Sequence, residues 1–156
     1  MSKKKSIGII LLLVFLIWSL FNTLFRIFIR NDSTDATLWK TYNLLWIGSF
    51  LALIILCLNI TSIFVMFKPK KWGIKVLYAF FILNMVINIF TLSLSMLNID
   101  LLKDAAIESR TSRGLSTEGI DFIVNPLIIL ISITFYLGFY ISLIFYVNKR
   151  QDYFFT

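Results

Sequence analysis

A chain of 156 residues is long enough for one compact domain, and this one is 59% hydrophobic and 15% charged, with a mean hydropathy of +0.88. A soluble domain carries about 45–50% apolar and about 25% charged residues, so the long Ile-, Leu- and Phe-rich blocks here need lipid as their solvent. The formal charge of +7 comes from Lys and Arg in short segments between those blocks. That placement suits anionic headgroups and topology control, and it argues against the basic, aromatic-interleaved surface of a nucleic-acid binder.

Block one, Ile7–Phe25, has no charge and predicts a helix over 6–29. It follows Lys3, Lys4 and Lys5 but is too long for the apolar core of a signal peptide, and no small-residue cleavage site follows it. Its first half has no polar side chain, whereas its second half carries Ser19, Asn22, Thr23 and Arg26. Arg26 has two readings: a snorkelling interfacial residue, or an inward cation serving an anion or an acidic group. Asn31-Asp32-Ser33 in the following connection matches a glycosylation acceptor pattern.

Block two predicts a helix over 41–67. Gly48, Ala52, Asn59 and Ser62 share one of its faces, and Gly48/Ala52 has the small-xxx-small spacing that lets another backbone approach. Cys57, the single cysteine, is expected to act as a small buried hydrophobe. Pro69 and Gly73 mark a tight turn to the next helix. The run Phe67-Lys68-Pro69-Lys70-Lys71-Trp72-Gly73-Ile74-Lys75 resembles the basic-Trp-small turn between the second and third helices of small four-helix membrane proteins. The resemblance implies no activity.

Block three predicts a helix over 73–99, on which Asn84, Asn88, Thr91, Ser95 and Asn98 follow one another at gaps of four, three, four and three. That spacing puts all five on one face. Asparagine is costly against lipid, so this face should meet protein or water. It either hydrogen-bonds between helices or lines a polar path. The opposite face carries Val86, Phe90 and Leu97 and suits lipid. Residues 100–108 read as a short helical extension capped by Asp100, and 111–119, rich in Ser, Thr and Gly, as a mobile loop.

Block four predicts a helix over 121–148, with Pro126 near its start and Gly138/Ser142 as a second small pair. Each block meets the roughly 17–25 residues a helix needs to span a hydrocarbon core, and helix is the conformation that satisfies the backbone there. The expected fold is therefore all-α: one transmembrane domain over 1–156, with four helices in an up-down antiparallel bundle joined by short connections.

Lysine and arginine counts set the orientation. Lys3, Lys4, Lys5, Lys68, Lys70, Lys71, Lys75, Lys149 and Arg150 fall on one side, nine in all. Arg26, Arg30, Lys40, Lys103, Arg110 and Arg113 fall on the other, six in all. The richer side is cytoplasmic, which places both termini inside a plasma or bacterial inner membrane. Trp39, Trp46 and Trp72 lie near helix ends, where interfacial anchors are expected.

The absence of histidine, with one cysteine, excludes the usual zinc sites, His-ligated haem and Ser-His-Asp triads. Neither a GxGxxG nor a P-loop sequence occurs, and the four apolar blocks, Ile7–Phe25, Thr41–Phe67, Val76–Ile99 and Phe122–Asn148, hold no Asp, Glu or Lys. An intramembrane aspartyl dyad, a carboxylate proton relay and a Ser-Lys mechanism are thereby excluded. No enzyme, cofactor or metal is expected. The sequence points to a non-enzymatic membrane subunit that packs against itself or another membrane protein. Its alternative is a small oligomeric channel or carrier built around the polar faces. A weaker third reading is an enzyme that acts on lipid through the loop carboxylates Glu108 and Glu118.

Overall fold

The structure, a computed structural model, describes residues 7–28, 39, 42–112 and 114–154, with side chains of the first helix through Phe25. Among these residues it is helix and turn without strand. In chain order the helices are α1 (Ile7–Phe28), α2 (Leu45–Phe67), α3 (Gly73–Leu97), α4 (Ile99–Thr111), the single turn α5 (Ile120–Ile123) and α6 (Pro126–Lys149), followed by a 3-10 turn (Gln151–Tyr153). By length and composition α1, α2, α3 and α6 can each cross a membrane, which makes this a multi-pass membrane protein.

Each long helix divides its surface by period. On α1, Ile9, Leu12 and Leu16 are buried at gaps of three and four, while Val14, Trp18, Phe21 and Phe25 are exposed. On α2, Ile55, Asn59, Ser62 and Met66 are buried, and Trp46, Phe50, Leu53, Ile60 and Phe64 form the exposed stripe. Exposed apolar residues on such helices meet lipid rather than water. Cys57 falls on this outward stripe, so its expected burial in the protein core is corrected. It lies one turn from Leu53 on the face turned away from the other helices. On a lipid-facing surface a thiol packs as a small apolar group. Cys57→Ala is expected to leave the unfolding midpoint in detergent within experimental error, and a large loss would mean that the thiol has an unrecognised role.

Helix boundaries follow local chemistry. Asn43, in the left-handed region at φ 55°, and Leu44 precede α2, so its described start is Leu45 rather than the expected residue 41. Thr41 lies outside the described residues. The third helix ends at Leu97 because Asn98 leaves helical geometry (φ −147°, ψ 86°) and caps α4 instead, its Oδ1 accepting from Leu101 N at 3.1 Å. The expected cap, Asp100, sits in the first turn of α4, where a carboxylate suits the helix dipole. The expected fourth helix over 121–148 is broken at Asn125. Pro126 cannot donate a backbone hydrogen bond, and Asn125 Oδ1 accepts from Leu127 N at 2.9 Å to start α6 afresh.

Helix α1 packs on α2, α2 on α3, and α3 most extensively on α6. The edge-to-face pair Phe15–Phe139, with centroids 5.4 Å apart, joins α1 to α6. The start of α1 and the end of α6 meet where Gly8 lies under Tyr146, and the end of α2 meets the start of α3 where Gly73 lies against Val65. There the 3-10 turn folds back: Tyr153 Oη donates to Met66 O at 2.8 Å, and Phe154 is wholly buried in the main core. A second, smaller core holds α4 and α5 over the start of α6 through Leu102, Ile120, Val124 and Ile129.

Candidate functional site

The polar residues of α3 occupy the same face as the apolar core residues Ile74, Leu77 and Phe81 of its first half. The face is thus apolar near the Gly73 end and polar toward Asn98. Thr91 and Ser95 are buried, Asn84 and Asn88 half-buried, and Asn98 exposed as the α4 cap. Opposite them Val86, Phe90 and Leu97 are exposed. The hydrogen bonds of the stripe run back along its own helix. Asn84 Nδ2 donates to Phe80 O and Asn88 Nδ2 to Asn84 O, each at 2.8 Å, and Ser95 Oγ donates to Thr91 O at 2.9 Å. Donation to the carbonyl one turn back satisfies a polar side chain without any partner helix. Ser132 and Ser142 on α6 and Thr61 on α2 do the same.

A fully buried polar contact that crosses between helices is made by Asn59, the sole asparagine of α2. Its amide orientation is set by the donors and acceptors around it. Nδ2 donates to Leu16 O at 3.0 Å, while Oδ1 accepts from Ser19 Oγ at 3.1 Å and from Leu20 N at 2.9 Å. One side chain thereby grips a full backbone turn of α1. Ser19, half-buried, belongs to this clamp; Asn22 is exposed, and the Arg26 side chain lies outside the described residues. Sequence reasoning placed Asn59 on one face of α2 with Gly48, Ala52 and Ser62 but did not single it out. The available signal was a lone amide one heptad after Ala52 in an otherwise apolar stretch. Ser62, three residues on, is also fully buried, and its Oγ has no hydrogen-bond partner among the described residues.

The two small pairs are placed differently. A Cβ on Gly48 would come within 3.1 Å of the Trp39 indole, so the close approach at Gly48 is by an aromatic ring. Trp39 is 7% exposed and stacks obliquely on Phe90 at 5.7 Å, a buried wedge rather than the expected interfacial anchor. Trp46 and Trp72 are exposed. Trp39, Leu44, Ile47, Leu51, Val86 and Phe90 line a half-open cleft of about 170 Å³ between α2 and α3, with no polar lining. On α6, Gly138 has open space around it and Ser142 is exposed, so the second pair faces away from the other helices.

Outside the spans, Lys103 on α4 pairs with Asp121 on α5 at 2.5 Å. The hydrogen bond to Asp121, and then its charge, hold the Lys103 ammonium above its ordinary pKa. This pairing is complete below the usual lysine range and is lost as pH rises through the raised value. The loop after α4 is tied down by Arg110, whose Nη1 donates to Ser116 O at 2.8 Å. No group of three or more His, Cys, Asp or Glu side chains that could hold a metal occurs among the described residues. Compared with protein-family models, with curated proteins and with solved structures, the chain matches none.

Proposed function

We propose that this chain is a non-enzymatic integral membrane protein, an up-down antiparallel four-helix bundle that serves as a subunit or accessory partner in a membrane complex. The observation that carries this reading is how its intramembrane polar groups are used. Asn84, Asn88 and Ser95 of α3 and Ser132 and Ser142 of α6 are bonded to their own helices, and Asn59 is bonded to α1. Groups engaged in this way serve helix geometry and packing, whereas a solute path needs polar atoms turned into shared space. The cleft between α2 and α3 is apolar, which also favours contact with protein or lipid over passage of a polar solute. The partner is a second copy of the chain or another membrane protein, met through the exposed apolar faces of α2 and α6. The up-down arrangement rests on the neighbouring ends of α1 and α6 and of α2 and α3. The cytoplasmic placement of both termini rests on the lysine and arginine balance.

Purification from native membranes in mild detergent should retain a defined oligomer or a fixed partner at constant stoichiometry. Ion or solute flux through the purified chain alone in liposomes would overturn the subunit reading in favour of an oligomeric channel or carrier. In a Cys57→Ala background, Ser112→Cys should react with an impermeant thiol reagent on intact cells, and Lys70→Cys should not. The reverse pattern would invert the orientation.

A further inference from the structure

The strongest charge feature outside the polar helix faces lies at the end of the molecule where α2, α3 and α6 meet. Lys68 and Lys70 come from the α2–α3 turn, Lys75 from the first turn of α3, and Lys149 and Arg150 from the end of α6; all five are exposed. Of the eight acidic residues in the chain, only Asp152 lies in these segments. Packing joins the two segments. Tyr78 Oη on α3 donates to Asn148 Oδ1 on α6 at 3.3 Å, and Tyr153 Oη donates to Met66 O at the end of α2. The buried Phe154 and the close Gly73–Val65 contact hold the same region together. The cations therefore stand on one framework rather than on independent tails.

A second feature selects the partner. The Lys68 ammonium lies over the Phe64 ring, 5.7 Å from its centroid, and Phe64 continues the exposed apolar stripe that includes Ile60. Cation directly above exposed hydrocarbon is the arrangement that meets a lipid: phosphate at the charge, acyl chain along the stripe. A soluble anion would use the charge alone. Trp72, 43% exposed beside these lysines, has the amphipathic ring that sits at headgroup level.

We propose that this end of the molecule is a docking surface for an anionic phospholipid, its phosphate held by the α2–α3 turn and the end of α6 together and an acyl chain lying along Ile60 and Phe64. The test uses the full chain purified in neutral detergent. It is titrated with short-chain phosphatidic acid, with phosphatidylcholine of the same chains, and with inorganic phosphate, and read by bound-lipid adducts in native mass spectrometry and by the thermal midpoint. Phosphatidic acid should bind and raise the midpoint, and the other two should do neither. A cation near an anionic lipid surface contributes about 1 kcal/mol, about fivefold in affinity. Each double variant, K70Q/K75Q and K149Q/R150Q, should thus weaken binding by about 30-fold, while K70R/K75R keeps it. K103Q/R110Q, at the other end of the bundle, should bind as the unmodified chain does. Equal binding of the choline lipid, or equal effect of inorganic phosphate, would overturn a lipid phosphate as the ligand. An effect confined to one of the two segments, or shared by K103Q/R110Q, would overturn the joint surface.

Discussion

Asn59→Leu is expected to lower the stability of the folded chain by about 2 kcal/mol, as three interhelical hydrogen bonds at about 0.6 kcal/mol each are lost. Leucine keeps the branched heavy-atom skeleton of asparagine, so the loss does not come from a cavity. The Leu16 carbonyl and Leu20 N–H can still pair with each other within α1, which keeps the cost from rising further. Asn59 is fully buried and all its bonds go to α1. Asn88 is half-buried, and its amide donates to Asn84 O on its own helix. Asn88→Leu should therefore cost no more than about 0.6 kcal/mol. Equilibrium unfolding of both variants in the same detergent mixture decides the matter. Equal losses at the two positions would remove the special role of Asn59. Asn59→Asp should be worse than leucine at neutral pH, because an ionised carboxylate cannot donate to Leu16 O and would be buried without a counter-charge.

The second large effect is at the α2–α3 turn. A Cβ on Gly73 would lie 1.9 Å from Val65 Cγ1 and 3.0 Å from Val65 Cβ. Val65 is fully buried, so its methyl cannot swing into open space. Gly73→Ala should cost about 1–3 kcal/mol, the range for overpacking a filled core. Adding Val65→Ala to Gly73→Ala removes the worst overlap but leaves the 3.0 Å contact, so it should recover part of the loss. The checking measurement is a double-mutant cycle on unfolding midpoints. Strict additivity of the two changes would show that the Gly73–Val65 contact is not the cause. Gly8→Ala offers a contrast. Its nearest obstacles are the hydroxyl and ring edge of Tyr146, which is only partly buried, and a smaller loss is expected.

The two positions differ in how far sequence reasoning could reach. Gly73 follows Pro69 in a short basic turn, and turn chemistry is local enough to be read from adjacent residues. That a Val65 methyl fills the space beside it depends on two helices meeting at one angle, which no spacing rule specifies. The α3 stripe shares one face by its spacing alone, and Thr91 and Ser95 on it are buried. Its bonds were not legible. An asparagine within reach of a carbonyl four residues back can donate to it or to another helix, and the distance to the neighbour decides. Gly48/Ala52 and Gly138/Ser142 have the same spacing, yet Gly48 takes the Trp39 ring and Gly138 faces open space.

What the sequence determined by itself is the number and type of the spans, each long enough to cross a bilayer. An apolar run long enough for a bilayer must become helix to satisfy its backbone, and that constraint acts within each segment. Local capping and turn chemistry belong to the same level, as Asn125-Pro126 at the start of α6 illustrates. Only the tertiary structure decided which way each helix is rotated about its axis. Apolar residues surround all four spans, so hydrophobicity does not separate the face that meets protein from the face that meets lipid. That rotation turned Cys57 outward, buried Trp39 against Gly48 and brought Asn59 to α1. The physical reason is that side chains favour lipid and protein interior almost equally when they are apolar, so helix azimuth is settled by close packing and by the few polar groups that must find partners.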